Sequence, residues 1–354
     1  MISSLETIKQ TKIHKESRFG GIFFKINTVW KSLSDSYHNG EFYSTNEYMI
    51  SLIIQSRWTV SQINHSIHCF ANQTISDAEL IFVIDEIMTK ESYEERLKKL
   101  EIPAGRLDKK IRIFSNLNAS FTHHNVSAMR NFAVQQAKWD FLNFMDDDED
   151  FPANYFEHSL EIYHHHYKAY KKDLMICPTL MYRHTGKIQN QGFSHYNFRY
   201  SRPIACELGA REYAEIQMYS GNSLFAPKAV FAKNHWDERF DFVNEDLTFT
   251  YGCHKNWVPI IVSKDLKIFH MERDKTKLED ARIGNAFQAY KKSKHRILFV
   301  HKFAGLREKI QFYILWFIGQ PARLIAKACL LAKGKQRRSI ISAIFKGTWD
   351  GILA

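Results

Sequence analysis

A chain of 354 residues with 45% apolar and 14% aromatic content has enough hydrophobic material for one large domain plus appendages, which excludes a disordered chain. The five cysteines (Cys69, Cys177, Cys206, Cys253, Cys329) are scattered, odd in number and lack any Cys-x-x-Cys pair, so neither a disulfide framework nor a zinc site is indicated and a reducing compartment is expected. The net charge of +11 is uneven: residues 296–354 hold eleven Lys and Arg against Glu308 and Asp350, giving +9, while the other 295 residues carry +2. The body therefore lacks the basic excess that tracks a phosphate backbone, and the tail is left to face an anionic surface.

Three segments follow in chain order. Residues 1–46 read as a polar N-terminal extension without an apolar run long enough for a signal peptide, so a cytoplasmic location is expected. Residues 47–275 alternate short apolar runs with helix-period stretches, the pattern of an α/β domain. Residues 276–354 read as basic amphipathic helices.

Within the middle segment, Met49 to Ile54 (MISLII) predicts a strand and Val60 to Phe70 a helix. Leu80 to Ile84 (LIFVI) and Ile111 to Phe114 predict two more strands. A helix over Val126 to Ala137 then leads into a strand over Phe141 to Met145 (FLNFM). Continuous apolar runs of this kind suit parallel strands covered on both faces. Pro152 is placed in the first turn of a helix reaching Lys171. The triple histidine, His164 to His166, is placed on that helix's surface. Further on, Asn244 is the expected N-cap of a helix running through Leu247, Phe249 and Tyr251.

Two strands end in acid: LIFVI runs into Asp85-Glu86, and FLNFM into Asp146-Asp147-Asp148-Glu149-Asp150. Ligands of open parallel sheets bind outside the carboxyl ends of the strands, so both acidic groups are expected to border one crevice. Carboxylates crowded into one turn repel unless water or a cation relieves them. A solvated acidic loop and a hard-cation site are both open readings, and the position directly after a buried strand favours the cation. Mg²⁺ or Mn²⁺ takes oxygen ligands, typically one or two carboxylates plus substrate phosphates. No glycine-rich phosphate cradle occurs, so a phosphate-bearing donor would depend on the metal. Asp246, with Glu245 before it, falls in the first turn of its helix, where the helix dipole keeps a carboxylate ionised as a general base requires. Two acids there could equally serve helix stability alone. His270, after Ile268-Phe269, is by itself as compatible with a core or surface histidine as with a ligand.

These elements resemble glycosyltransferase family 2 over roughly residues 47–275. MISLIIQSRW and NQTISDAELIFVIDE are similar to its opening strand, helix and second strand. Ser127-Ala128-Met129-Arg130-Asn131 is similar to its Ala-Arg-Asn element, and Asp146-Asp147-Asp148-Glu149 to its Asp-x-Asp-Asp motif. GNSLF (221–225), WDERF (236–240) and Asn244-Glu245-Asp246 follow in the family's order. The resemblance implies a GT-A fold, a mostly parallel sheet flanked by helices, here with a helical C-terminal extension. It implies Asp85, Arg130, Asp146 and Asp147 around the donor, and Asp148, Asp146 and His270 around Mn²⁺ or Mg²⁺. Asp246, in the Glu245-Asp246 element, becomes the base that deprotonates an acceptor hydroxyl in an inverting transfer. The chain departs from the family where Asp85-Glu86-Ile87-Met88 replaces Asp-Asp-Gly-Ser, and where Gln55-Ser56-Arg57-Trp58 replaces Pro-Thr-Tyr-Asn. The Gln-x-x-Arg-Trp signature of processive synthases is absent, which favours single-sugar addition.

In the tail, apolar clusters alternate with Lys and Arg, and the longest apolar stretch, about nine residues from Ile310, is too short to span a bilayer. Basic amphipathic helices with Trp316 and Trp349 suit a membrane interface instead, although such helices could also pack on the catalytic domain. The expected protein is a metal-dependent glycosyltransferase on the inner face of a membrane. Its partners are a nucleotide-sugar donor, a saccharide or lipid-linked acceptor and anionic lipid, with no nucleic acid. A GT-A-like scaffold without catalysis, and less so a nucleic-acid binder using the tail, are the rival readings.

Overall fold

A computed structural model of the protein describes residues 49–102, 110–221, 223–271 and 285–354. The expected N-terminal extension, the junction near 275 and Asn222 lie outside them. The first half alternates strand and helix: β1 (Ile50–Ser56), α1 (Val60–Ala71), β2 (Ala78–Ile84), α2 (Lys90–Leu97), β3 (Ile111–Phe114), α3 (Val126–Gln136), β4 (Phe141–Asp146), β5 (Glu149–Asp150) and α4 (Tyr155–Tyr170). There follow β6 (Met175–Tyr182), β7 (Ile188–Asn190), β8 (Phe193–Asn197), β9 (Arg202–Ala205), β10 (Tyr213–Ile216), β11 (Leu224–Pro227), α5 (Lys228–Lys233), α6 (Glu245–Lys255) and β12 (Ile260–His270). The C-terminal region is helical: α7 (Ala286–Phe303), α8 (Leu306–Leu331) and α9 (Gly334–Leu353).

One sheet organises the molecule, in the order β10-β12-β6-β11-β4-β1-β2-β3, with β5 added to β12 and β7 to β6. β1, β2, β3 and β4 are mutually parallel, as is β6 with β12, while β11 enters antiparallel between β4 and β6. The predicted strands therefore form, and β1 runs on to Ser56 because Gln55 still pairs with Asp146 and Ser56 with Ile84.

Strand alternation sorts the apolar side chains onto two faces. Leu52, Ile54, Leu80, Phe82 and Ile84 pack with α1 and α4, through Ile63, Ile67, Tyr155 and Phe156. Ile53, Ile81 and Val83 face the other way, onto Met129 and Ala133 of α3 and, further along, Phe231 and Phe249. Both faces are covered, so the strands read as unbroken hydrophobic runs rather than alternating ones.

The C-terminal helices begin as part of this body. Leu298, Phe299 and Val300 of α7 are buried with Phe240, Leu247 and Tyr251. α9 then lies along α7 so closely that a Cβ at Gly347 would collide with the Tyr290 carbonyl. α7 thus packs on the α/β domain, as one of the two sequence readings allowed.

Two local expectations are corrected. Pro152 precedes the helix instead of opening it: α4 starts at Tyr155 with Asn154 as N-cap, and the Pro152 carbonyl accepts hydrogen bonds from Gln73 and the Tyr155 amide. His166 is not on the surface. It is 5% exposed, edge-on to Tyr213 at 4.9 Å, because α4 turns that position toward β10. Burial, and then His165, push its imidazolium pKa down to about 4 from 6.5. A base depressed in the folded state binds fewer protons than the unfolded chain between those values, so stability falls as pH drops from about 6.5 toward 4. His166→Phe should remove up to about 3 kcal/mol of that loss, read by urea unfolding at pH 7 and pH 4. An unchanged acid limb would mean that His166 does not drive it.

Candidate active site

Parallel pairing brings the ends of β1, β2 and β4 to one edge of the sheet, and this edge gathers the acidic residues. Asp85, just past β2, is 8% exposed; its backbone N–H donates to the Ser56 carbonyl at 2.8 Å, and its Oδ1 accepts from the His124 amide at 2.6 Å. Ser56 Oγ donates to Asp147 Oδ2 at 2.5 Å. Ser56 is therefore the link between the two acidic strand ends. Glu86 turns away and holds Arg96 of α2 in a two-pronged pair at 2.6 and 2.9 Å.

The acidic run does not act as one cluster. Asp146 is the last residue of β4, Asp147 and Asp148 form the turn, and Glu149 and Asp150 belong to β5. Each finds a different environment. Glu149 is 1% exposed, accepts from Ser223 Oγ at 2.8 and 2.9 Å, and takes the Asp146 amide at 3.0 Å. Burial, and next Asp146, push its carboxyl well above the usual carboxylate range. Burial also raises Asp147, against the hydrogen bond from Ser56. Asp148 Oδ2 lies 3.0 Å from His270 Nε2, and the other ring nitrogen of His270 is 3.2 Å from Gln189 Oε1. β12 makes this possible, because its last two residues, Phe269 and His270, pair with Asp150 and Glu149.

α3 supplies the basic element. Ser127, Arg130 and Asn131, spaced three and four apart, share one helix face. Ser127 Oγ donates to the Phe240 carbonyl at 2.6 Å, and Asn131 exchanges hydrogen bonds with the Trp236 backbone at 2.9 Å each way. The loop 236–244 is thereby stitched over α3. Trp236 is stacked on Phe249 at 3.7 Å, and the Arg130 guanidinium lies 5.8 Å above its ring.

That loop delivers α6, whose first turn meets Arg130. The guanidinium is 3% exposed; Nη1 donates to Asp246 Oδ1 at 2.5 Å, and Nη2 is 3.9 Å from Glu245 Oε1. Burial works against its charge, but Asp246, Glu245 and Asp146 together hold its pKa above the ordinary arginine value. Arg130 thus joins the α6 acids to the end of β4. The other Asp246 oxygen accepts from the Gly221 amide at 3.2 Å, where φ is +132°, a region that favours glycine.

Asn244 stands at the N-cap position but does not cap: its φ is +68° and its side chain makes no capping bond. Val243 is also left-handed, at φ +69°, an uncommon state for a β-branched residue. Tertiary contacts hold it there. His295 of α7, fully buried, donates from Nδ1 to the Val243 carbonyl at 2.7 Å, and Lys291 pairs with Asp241.

The structure brings together Arg130, Asp246, Glu245 and Asp146, joins Asp148 to His270, and joins Asp85 to Asp147 through Ser56. It does not close Asp146, Asp148 and His270 into one ligand shell. Among the described residues, the set of three His, Cys, Asp or Glu side chains with ligand atoms within 4.8 Å of one another lies elsewhere. The Asp148–His270 pair offers one oxygen and one nitrogen, a donor set that fits Mn²⁺ more readily than Mg²⁺. Sequence reasoning left Ser56, Glu149, Ser223 and Gln189 without a role. Ser56 stands where the family's opening motif carries threonine, the one signal that could have found it.

No known family's sequence profile matches the chain, and no curated protein matches it by sequence. Among solved structures, it is similar to residues 1–349 of S. aureus TarS in complex with UDP-GlcNAc, with TM-score 0.51 and 13% identity over 84% of this chain and 80% of that one. What the two share is the fold. It is the α/β fold expected from the sequence, a mixed sheet dominated by parallel pairing, flanked by helices and followed by a helical C-terminal region. A second structure of the same fragment gives TM-score 0.48 at 14% identity over 84% and 80% of the two chains. A structure of S. aureus TarS without that limit gives 0.42 at 15%, covering 86% of this chain and 54% of that one, so this chain spans about half of its length.

Removing one partner of a buried ion pair strands the other, so Arg130→Met should cost about 3–5 kcal/mol. In a cycle with Asp246→Asn, urea unfolding should give a coupling of about 1–3 kcal/mol. Coupling below about 0.5 kcal/mol would show that α6 is held by packing instead.

Proposed function

We propose that the protein is a glycosyltransferase that moves a single sugar, with inversion, from a nucleoside-diphosphate donor to a hydroxyl of a saccharide or lipid-linked acceptor. The observation that carries this reading is the buried Arg130, which holds Asp246 and Glu245 beside Asp146 at the carboxyl ends of parallel strands. The fold shared with a protein solved with UDP-GlcNAc supports a nucleotide sugar as donor.

In this reading Asp85, fixed by the His124 amide, meets the donor base, and Asp146 and Asp147 meet its ribose and diphosphate. Asp148 and His270 would hold Mn²⁺ or Mg²⁺, which supplies charge stabilisation to the departing diphosphate. Asp246 accepts the proton of the acceptor hydroxyl as it attacks the anomeric carbon. Its oxygens already receive Arg130 and Gly221, and a carboxylate has about four acceptor sites, so capacity for the hydroxyl remains. Arg130 and Gly221 orient the carboxylate. Glu149 accepts from the Asp146 amide and so ties the two ends of the turn together.

The full chain, incubated with a panel of nucleotide sugars and Mn²⁺, should release nucleoside diphosphate from one of them. Asp148→Ala and Asp246→Asn should each lower kcat/KM by about 10²–10⁴, with melting temperature followed to separate stability from chemistry. A catalytically silent scaffold would instead show no release with any donor and no melting shift.

No helix among the described residues is long and apolar enough to cross a membrane. The exposed faces of the last two helices support peripheral binding to anionic lipid on the cytoplasmic side. Leu306, Ile310 and Ile314 form an exposed stripe on α8, as do Phe345, Trp349 and Leu353 on α9, amid basic residues. Each basic residue near such a surface contributes about 1 kcal/mol. The protein should float with vesicles containing phosphatidylglycerol, less with pure phosphatidylcholine, and less again after Trp349→Glu with Phe345→Glu. Equal flotation on both lipids would rule out the electrostatic part.

A further inference from the structure

Asp150 escapes the acidic edge because adjacent residues of a strand point to opposite faces. Glu149 points to Asp146 and Ser223, and Asp150 to α1. There α1 presents His65 and Cys69, four residues apart on one helix face. Cys69 Sγ lies 3.4 Å from His65 Nε2 and 3.4 Å from Asp150 Oδ1, and those two atoms are 3.9 Å apart. A thiol, an imidazole and a carboxylate thus form a compact triangle.

The dimensions match a tetrahedral ion. Zinc holds sulfur at about 2.3 Å and nitrogen or oxygen at about 2.0–2.1 Å, which sets neighbouring ligand atoms roughly 3.3–3.6 Å apart. The triangle needs only a small contraction of its longest edge. Arg183 Nη1 takes the other Asp150 oxygen at 2.9 Å, which leaves Oδ1 turned to His65 and Cys69, as groups behind a ligand commonly do. All three side chains line a cavity of about 680 Å³, bordered also by His68 and Arg183. A fourth coordination position would open into it. None of these side chains takes part in the Arg130–Asp246 or Asp148–His270 contacts, so the inference is independent of the transferase reading.

We propose that His65, Cys69 and Asp150 form a second divalent-cation site, of the zinc class, which clamps α1 to β5 and keeps one position open to the cavity. The mixed sulfur, nitrogen and oxygen donors separate it from the Asp148–His270 pair, which offers no sulfur.

Cobalt(II) is the probe, because a cobalt–thiolate bond gives a near-ultraviolet charge-transfer band that nitrogen and oxygen ligands do not. Titration of the full chain should produce this band with visible four-coordinate bands, saturating at one equivalent and displaced by Zn²⁺. Cys69→Ser should abolish the charge-transfer band. His65→Gln should weaken cobalt binding at least tenfold. Asp148→Ala, and Cys329→Ser at the exposed cysteine, should leave the band unchanged. Far-UV circular dichroism checks folding; if Cys69→Ser unfolds, the half-buried His65→Gln carries the test. Absence of the band in the unaltered chain, its survival in Cys69→Ser, or its indifference to His65→Gln would overturn the proposal.

Discussion

The guanidinium of Arg130 is buried, and a buried cation cannot remain without counter-charge. That constraint decides much of the arrangement around it. Asp246, Glu245 and Asp146 all act on its charge, so the start of α6 and the end of β4 are brought to the same place. The loop 236–244, which leads into α6, would not choose this path alone. Ser127 and Asn131, flanking Arg130 on the same helix face, bind its backbone and set the course. α7 completes the restraint from outside, with His295 holding the left-handed Val243.

Five consecutive acids would be costly as a single cluster. The chain relieves the repulsion by geometry more than by dilution in solvent. The turn of Asp147 and Asp148 sends one carboxylate to Ser56 and the other to His270. The β5 pleat then buries Glu149 on the Arg130 side and carries Asp150 to the opposite face, beside His65 and Cys69. The side chains point in four directions, and their partners come from β1, β12, the approach to β11 and α1. A run that looks like one feature in the sequence therefore serves several places.

The C-terminal region likewise has two characters. α7 completes a buried cluster with Phe240, Leu247 and Tyr251, and α9 lies against α7 at glycine-sized distance. The outward faces of α8 and α9 retain large apolar side chains amid basic residues. Packing on the domain and presenting a basic amphipathic surface are compatible because different helices, and different faces, do each.

The sequence by itself determined the strands β1 to β4 and the helices α1 and α3 of the parallel half, but not α2. Apolar runs such as LIFVI and FLNFM have one low-energy use in a chain of this length, burial on both faces, and the acid at their ends follows from the polarity of parallel strands. It also marked Asp85, Arg130, Asp146, Asp148, Asp246 and His270 as the residues worth following. It misplaced Pro152, His166 and the capping role of Asn244, since helix starts and helix faces depend on what packs against them. Only the tertiary structure decided which acids meet which partners. Ser56, Glu149 and Ser223 became visible only then, as did the grouping of His65 and Cys69 with an aspartate 81 residues further on. Contacts of that kind are set by sheet register and pleat direction, and a one-residue change in either would send the same side chains to the other face.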